Sequence, residues 1–376
     1  MGTRRLVLFS LSVALLGIAA AGCLHSSDGN GGAQPAAQGG TNGETAAGGG
    51  GGGGNLLAQV QERGTLNCGV NDAVPGFGVS TEGGEFEGFD IDYCRVVAAA
   101  VLGDPNAVEF MPLTAEQRFT ALQSGEIDVL IRNTTWTSSR DGSEGARFLH
   151  TTYYDGQGMM VKADSDFQEL ADLGGATVCV LSGTTTELNL ETVFQAQGIQ
   201  YTPLPFEENE PLQQAFIQGR CDAWTSDISQ LAGVRSSWPA NQGGPEGLRI
   251  LEEIMSKEPL GPAVRDGDDQ WADAVNWAIY ATILAEELEI TSGNIEENLN
   301  SDNPDVLRLL GQPVEGEAFD PGLGLETDFA VNVIREVGNY GEIYARNIGE
   351  DSALGLDRGL NALWTDGGLQ YAPPYR

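Results

Sequence analysis

One layout occurs twice in this chain and restricts its fold more than any other feature. A helical run at 114–124 ends at Gly125 and leads into a short apolar strand, 127–131, that carries Asp128 and opens onto Arg132-Asn133-Thr134-Thr135-Trp136-Thr137-Ser138-Ser139-Arg140. Further on, a helical run at 210–218 ends at Gly219 and leads into a strand at 221–225 with Asp222, followed by Ser226-Asp227. Short apolar runs of this kind are typical of buried parallel strands. A unit repeated in this way points to two similar lobes rather than one continuous sheet.

The rest of the chain agrees. A helix at 56–63, a strand at 65–70, a turn or loop at 74–78 containing Phe77, a helix at 91–102 and a strand at 108–110 precede the first unit. An extended passage at 158–162 leaves it. A strand at 176–180, a helix from Thr185 or Thr186 to Ala196 and a strand at 200–204 precede the second. Residues 249–255 read as extended and hand the chain back to a loop and strand at 257–265. Helices follow at 271–288, 306–310, 328–337 and 341–347, then an aromatic and proline-rich coil. Such alternation is the pattern of an α/β fold with mostly parallel sheets. The expected division is 1–22 export signal, 23–54 tether, 55–158 lobe 1, 159–256 lobe 2, and 257–376 return to lobe 1 with a C-terminal helical extension.

Arg4 and Arg5 precede an apolar stretch at 6–21 that ends in small residues, the layout of a secretory signal. Ala20-Ala21-Gly22-Cys23 resembles a lipobox, which makes Cys23 a lipidation candidate; simple cleavage and release is the alternative. Residues 24–54 are Ser, Gly, Asn, Ala and Gln-rich and end in a glycine run, a composition suited to a flexible spacer. Four further cysteines fall two to a lobe, and in an exported protein Cys68–Cys94 and Cys179–Cys221 are the simplest of three possible pairings. The only histidines are His25 and His150, which argues against metal clusters and histidine triads.

Local pattern offers two half-sites without deciding their roles. The strand end at 131–140 presents hydroxyls, backbone amides and one guanidinium, suited to a carboxylate; an ordinary strand, turn and surface arginine read equally well. Leu181-Ser182-Gly183-Thr184-Thr185-Thr186-Glu187 places hydroxyl residues at a helix start, where free N–H groups cradle anions or a hydroxyl caps the helix. Asp227 stands where a carboxylate meets an ammonium or caps the helix at 228–236.

Extended segments carry a resemblance. Leu66-Asn67-Cys68-Gly69-Val70-Asn71, Gly88-Phe89-Asp90-Ile91-Asp92-Tyr93-Cys94, Arg132-Asn133-Thr134-Thr135-Trp136-Thr137, Ser182-Gly183-Thr184-Thr185-Thr186-Glu187 and Gly359-Leu360-Asn361-Ala362-Leu363-Trp364 are among them. On these the chain resembles the solute-binding proteins of polar amino-acid ABC transporters, in particular the general L-amino-acid-binding branch, from about residue 65 to 376. The resemblance implies a type II periplasmic-binding-protein-like fold, two α/β lobes joined by two crossover strands and closing on one amino acid. It implies that Arg140 clamps the ligand carboxylate with the amides of Thr135 and Thr185, and that Asp227 and Asn133 receive the ammonium. Phe77, Trp136, Thr184 and Arg118 are the implied pocket and side-chain contacts. No catalysis, cofactor or metal is implied. The implied partners are an amino acid, the membrane subunits of an ABC permease and, through a lipid anchor, the membrane, with the protein a monomer outside the cytoplasm. An extracellular sensor or chemoreceptor partner is the alternative role.

The chain carries 54 acidic and 19 basic residues, a formal charge of −35, and its only lysines are Lys162 and Lys257. Such a surface repels nucleic acid and anionic membranes, and repels itself until salt screens it. Working in high salt is one reading of this composition; an ordinary acidic secreted protein is the other. Circular dichroism across a salt series is expected to show folding that strengthens with salt, and full folding in dilute buffer would exclude a salt requirement.

Overall fold

The computed structural model describes residues 55–316 and 319–376; the export signal, Cys23 and the tether lie outside them. In chain order the elements are α1 (Leu56–Arg63), β1 (Leu66–Val70), β2 (Ala73–Val74), β3 (Gly78–Ser80), β4 (Phe86–Glu87), α2 (Phe89–Leu102), β5 (Val108–Pro112), α3 (Arg118–Ser124), β6 (Val129–Leu130), α4 (Ser138–Ser143), β7 (Ala146–Phe148) and β8 (Tyr153–Lys162). They continue with β9 (Thr177–Leu181), α5 (Thr185–Gln197), β10 (Thr202–Phe206), α6 (Asn209–Ile217), β11 (Ala223–Asp227), α7 (Ile228–Ser236), β12 (Leu248–Ile250), β13 (Lys257–Leu260), β14 (Ala263–Arg265), α8 (Asp269–Glu287), α9 (Ile295–Asn298), α10 (Pro304–Leu309), α11 (Phe329–Glu336) and α12 (Tyr340–Asn347).

Two mixed sheets result. One has the order β5-β1-β6-β14-β7, the other β10-β9-β11-β8-β12, with β13 joined to β8. The repeated unit does the same work in each. Asp128 Oδ2 accepts from the amide of Asn67 at 2.7 Å, and Asp222 Oδ2 accepts from the amide of Thr177 at 2.8 Å. Each aspartate therefore pins the start of the neighbouring parallel strand.

The two lobes are joined by β8 and β13, which run antiparallel with Glu258 opposite Asp155 and Lys257 opposite Gly156. The far half of β8 then pairs with β11 and β12 inside the second sheet. The C-terminal part packs on lobe 1. Its helices α8 and α11 cover α2, whose residues are almost all buried. The tail returns to the crossover: Asn361 accepts from the amide of Tyr154 at 2.7 Å and donates to its carbonyl at 3.1 Å.

Most elements fall where the sequence places them; α4, β7 and α9 are additional, the strand expected at 127–131 shortens to Val129–Leu130, and two further differences have local causes. The loop at 74–78 is part of a small antiparallel sheet, β2-β3-β4, whose two- and three-residue strands are too short to show a period. The helix expected from 114 begins at Arg118. Thr114 and Gln117 exchange hydrogen bonds of 3.2 and 3.3 Å between side chain and amide, which closes a separate turn before it.

Both disulfides form within lobes. Cys68 on β1 joins Cys94 on α2, with Cα atoms 6.1 Å apart, and Cys179 on β9 joins Cys221 just before β11, at 5.7 Å. Neither crosses the hinge. The bridged residues are 26 and 42 positions apart, for which loop-closure entropy gives about 3.5 and about 4 kcal/mol. Replacing Cys179 and Cys221 together by alanine is expected to lower the denaturation free energy by roughly 2–4 kcal/mol, measured by urea unfolding at fixed salt. An unchanged midpoint would show that the bridge restrains nothing that matters.

Candidate functional site

The two polar strand exits face each other across the cleft. Asn71, Arg118, Arg132, Asn133, Thr135 and Arg140 from lobe 1 meet Thr184, Thr185, Thr186, Ser226, Asp227 and Gln230 from lobe 2 around one cavity. Across the cavity itself, Asn133 Nδ2 donates to Asp227 Oδ2 at 3.3 Å, the Thr135 and Thr185 hydroxyls lie 3.3 Å apart, and Arg118 Nη2 donates to the Gly183 carbonyl at 3.2 Å.

Lobe 1 sets its half with backbone geometry. Thr135 bridges Leu260 on β13, with Gly261 N donating to the Thr134 carbonyl and Trp136 N to the Pro259 carbonyl. In that register the amide of Thr135 points away from β13. Thr137 caps α4 by accepting from Arg140 N at 3.3 Å. The Arg140 side chain then folds back, and its Nη1 donates to the Thr135 carbonyl at 2.8 Å. Its guanidinium is buried and lies 5.5 Å from the centre of the Phe119 ring. Asn133 adopts φ +30°, rare for a residue with a side chain, and is held by its amide donating to Asp90 Oδ2 at 2.5 Å and by Asn71 Nδ2 donating to its Oδ1 at 3.0 Å.

Lobe 2 answers with helix starts. Thr184 is the cap of α5, accepting from Glu187 N at 3.1 Å, so the amides of Thr185 and Thr186 are left without acceptors among the described residues. The Thr185 hydroxyl donates to Glu258 Oε2 at 2.8 Å. Asp227 precedes α7 but makes no side-chain cap. Asp155 of β8 does that work, accepting from the amide of Ser229 at 3.4 Å and from its hydroxyl. Asp227 is thereby free to face the cavity, and its Oδ1 is buried without a partner among the described residues.

Charge is concentrated here. Burial pushes Asp227 well above the usual carboxylate range, and the nearby Asp155 and Glu258 carboxylates push the same way; the Asn133 hydrogen bond and Arg118 oppose them. Burial, with Arg140 and Arg132 close by, pulls Arg118 well below its ordinary value, and its Nε is buried without an acceptor among the described residues. Burial brings Arg132 down to about 10. An unpaired buried polar atom costs about 1–3 kcal/mol. Arg118 Nε and Asp227 Oδ1 thus favour a ligand that supplies an acceptor to one and a donor to the other.

Of the residues singled out from sequence, Arg140, Thr135, Thr185, Asp227, Asn133, Thr184 and Arg118 surround the cavity, and Phe77 and Trp136 do not. Phe77 is 1% exposed and lies in the lobe 1 core, edge-on to Phe89 and Tyr153. Because β2 and β3 close its loop into a sheet, the ring turns inward. Trp136, in the segment between β6 and α4, is 42% exposed and stacks on Phe148 of β7. Neighbouring residues of an extended segment face opposite ways, so the bridge that aims Thr135 inward aims Trp136 outward. Asn71, Arg132, Thr186, Ser226 and Gln230 were not singled out. Gln230 follows Asp227 by three residues on a helix start, a spacing that puts both on one side. Arg132 directly precedes Asn133 at the strand exit.

Comparison with known proteins accords with this architecture. The model of bacterial extracellular solute-binding proteins, family 3, matches residues 66–292. The chain is 51% identical over 320 residues to the general L-amino acid-binding periplasmic protein AapJ of Rhizobium johnstonii, covering 85% of this chain and 92% of that protein. It is 49% identical over 321 residues to the glutamate/glutamine/aspartate/asparagine-binding protein BztA of Rhodobacter capsulatus, covering 85% and 93%. A solved ABC transporter periplasmic binding protein from Brucella ovis with glutathione bound is 50% identical, covers 86% of this chain and 99% of its own, and superposes with a TM-score of 0.81. The chain belongs to the bacterial extracellular solute-binding proteins of family 3. It has the type II two-lobed fold, it works outside the cytoplasm, and it is a binding protein rather than an enzyme.

Burial also makes folding depend on pH. It pushes Asp90 up to about 7, against the Asn133 amide and Arg132, and Asp155 up to about 6, against its bonds to Ser229 and Gly156. Unfolded, both would titrate near 3.8. Between about pH 4 and about pH 7 these two groups therefore hold more protons in the folded chain than in the unfolded chain, and they make stability fall as pH rises. Scanning calorimetry of the unliganded protein at fixed salt is expected to show a higher melting temperature at pH 5.5 than at pH 8. In Asp90→Asn, which keeps an acceptor for the Asn133 amide, that difference should shrink; an unchanged slope would remove Asp90 from the account.

Proposed function

We propose that this protein captures a polar L-amino acid with an acidic or amide side chain and delivers it to an ABC permease. Arg140 and the amides of Thr135 and Thr185 take the α-carboxylate; Asp227, with Asn133, takes the ammonium; Arg118 meets the side chain. The observation that carries this reading is the separation of charge across the cleft. A buried guanidinium with N–H groups to spare lies on lobe 1, and a buried carboxylate with an unpaired oxygen lies on lobe 2. A zwitterion satisfies both at once only when the lobes are together, so binding favours closure. Guanidinium grips carboxylate with two parallel bonds, and an enclosed ammonium needs a charged acceptor to offset its desolvation.

The proteins most informative about the ligand, AapJ and BztA, are named for general L-amino acids and for glutamate, glutamine, aspartate and asparagine. Two arginines beside the clamp, Arg118 and Arg132, suit oxygen-bearing side chains of that kind. Cys23 as a lipid anchor, a spacer to the membrane and a monomeric state complete the proposal.

A thermal-shift screen of the twenty amino acids followed by calorimetry tests it. Arg140→Ala is expected to weaken binding by about 100-fold or more, about 2.7 kcal/mol, with folding retained; near-native affinity would overturn the clamp. Affinity should also rise with pH through the titration of Asp227, because the ammonium is held by its ionised form. Asp227→Asn should both weaken binding and remove that dependence.

A further inference from the structure

Resting on this reading of the site, we infer that Gly233 is a positioning residue for ligand capture. It lets α7 of lobe 2 close against a rigid stop on lobe 1, the carbonyl of Pro75, and so sets how near Asp227 comes to Asn133.

Gly233 is buried in the interior of α7 with ordinary helical backbone, so its conformation does not call for glycine. Alanine would make a stronger helix there. The neighbour across the cleft explains the choice. A methyl group on Gly233 would lie 2.5 Å from the Pro75 carbonyl oxygen and 3.2 Å from the Pro75 Cβ, whereas ordinary contact begins at about 3.4 Å. Pro75 belongs to the turn between β2 and β3, and α6 and α7 both pack against β2. The helix thus meets the backbone of lobe 1 with no room for one carbon more.

The stop is braced from behind. Phe77 N donates to the Val74 carbonyl at 3.1 Å, which closes the turn, and the Phe77 ring is sunk in the lobe 1 core. At the start of α2, Phe89 N and Asp90 N donate to the Gly76 and Phe77 carbonyls, each at 2.9 Å. The same helix start supports the site. Asp90 Oδ2 accepts from the Asn133 amide at 2.5 Å, and Asn133 Nδ2 reaches across to Asp227 Oδ2 at 3.3 Å. One braced unit of lobe 1 therefore carries both the stop and the partner of Asp227. On lobe 2, Asp227, Gln230 and Gly233 follow one another at intervals of three, and Gly233 lies about 9 Å along the helix axis from Asp227. Holding α7 off by about 1 Å would take the Asn133–Asp227 contact beyond hydrogen-bonding range. The α5 side of the cleft is softer. A methyl group on Gly183 would meet Glu116 Cγ at 2.8 Å, part of a flexible side chain, and the Glu116 backbone only at 3.5 Å. Closure is therefore limited at α7.

Calorimetry and stopped-flow dissociation with the full chain at fixed salt test this, using L-glutamate and every other amino acid that the unaltered protein binds. Gly233→Ala is expected to bind each of them about 10-fold or more weakly, with the loss in the dissociation rate. The factor should agree within about 3-fold among ligands, because the ammonium is common to all of them. Without ligand, Gly233→Ala should melt no lower than the unaltered protein, since the added methyl group obstructs closure and strengthens the helix. In an Asp227→Asn background, Gly233→Ala should weaken binding by a smaller factor than it does alone. Native affinity in Gly233→Ala overturns the inference and leaves the amino-acid function standing. So does a loss confined to some ligands, or one that multiplies fully with that of Asp227→Asn, because Gly233 then does not act through Asp227. A lower melting temperature or loss of folding without ligand overturns it as well, since the contact is then fixed packing and not a stop met on closure. Failure of the unaltered protein to bind any of the twenty amino acids overturns both.

Discussion

The antiparallel pair of β8 and β13 is the constraint on which both halves of the site depend. These strands connect the lobes, and they place Asp155 opposite the buried Glu258. Each carboxylate is tied to the start of a lobe 2 helix. Asp155 holds Ser229 at the start of α7, and Glu258 holds Thr185 at the start of α5 and Asn189 one turn on. Helix N-termini carry partial positive charge, which offsets part of the cost of burying these anions. The crossover therefore orients the two helix starts that face lobe 1, and it relieves Asp227 of the capping role its position suggests.

The same arrangement links ligand recognition to closure. Glu258 belongs to a crossover strand, Thr185 to lobe 2 and Thr135 to lobe 1, and they form one chain of contacts: Glu258 to Thr185 at 2.8 Å, then Thr185 to Thr135 at 3.3 Å. The disulfides sit elsewhere, each inside a lobe. They stiffen the moving bodies and leave the joint between them free, which suits hinge motion.

Much of this was legible in the sequence because the informative features are local. Strands bounded by glycine and aspartate, and helices ended by Gly64, Gly103, Gly125 and Gly198 in the left-handed conformation, mark themselves. So did the half-sites, as polar residues at strand exits. The direction of Phe77 and Trp136 was not legible. Phe77 turns inward because its loop belongs to a sheet of strands too brief to have a period. Trp136 turns outward because of a single bridge between Thr135 and Leu260, a partner far away in sequence. The contribution of Asp155 was hidden for the same reason: nothing near β8 in sequence says that it will cap α7. What escaped was pairing across long separations, which residue patterns within one segment do not encode.

The charge distribution separates what the surface needs from what the site needs. The chain has a formal charge of −35 and keeps only two lysines, yet Arg118, Arg132 and Arg140 stand together around one cavity. Lysine could not replace them there. Each guanidinium anchors to a carbonyl through one edge, Arg118 to Gly183, Arg132 to Leu113 and Arg140 to Thr135, and has further N–H groups for other acceptors. A single ammonium has no such planar division of labour, and three of them at this burial would lose their protons more readily than guanidinium does. Asp227 faces them from the other side of the cavity, and Asp90 lies behind Asn133, holding its amide. Pressure toward an acidic surface can thus act on the exterior without disturbing recognition, because the cationic groups that recognise the ligand are buried, paired with backbone oxygen, and screened from the acidic surface by the two lobes that enclose them.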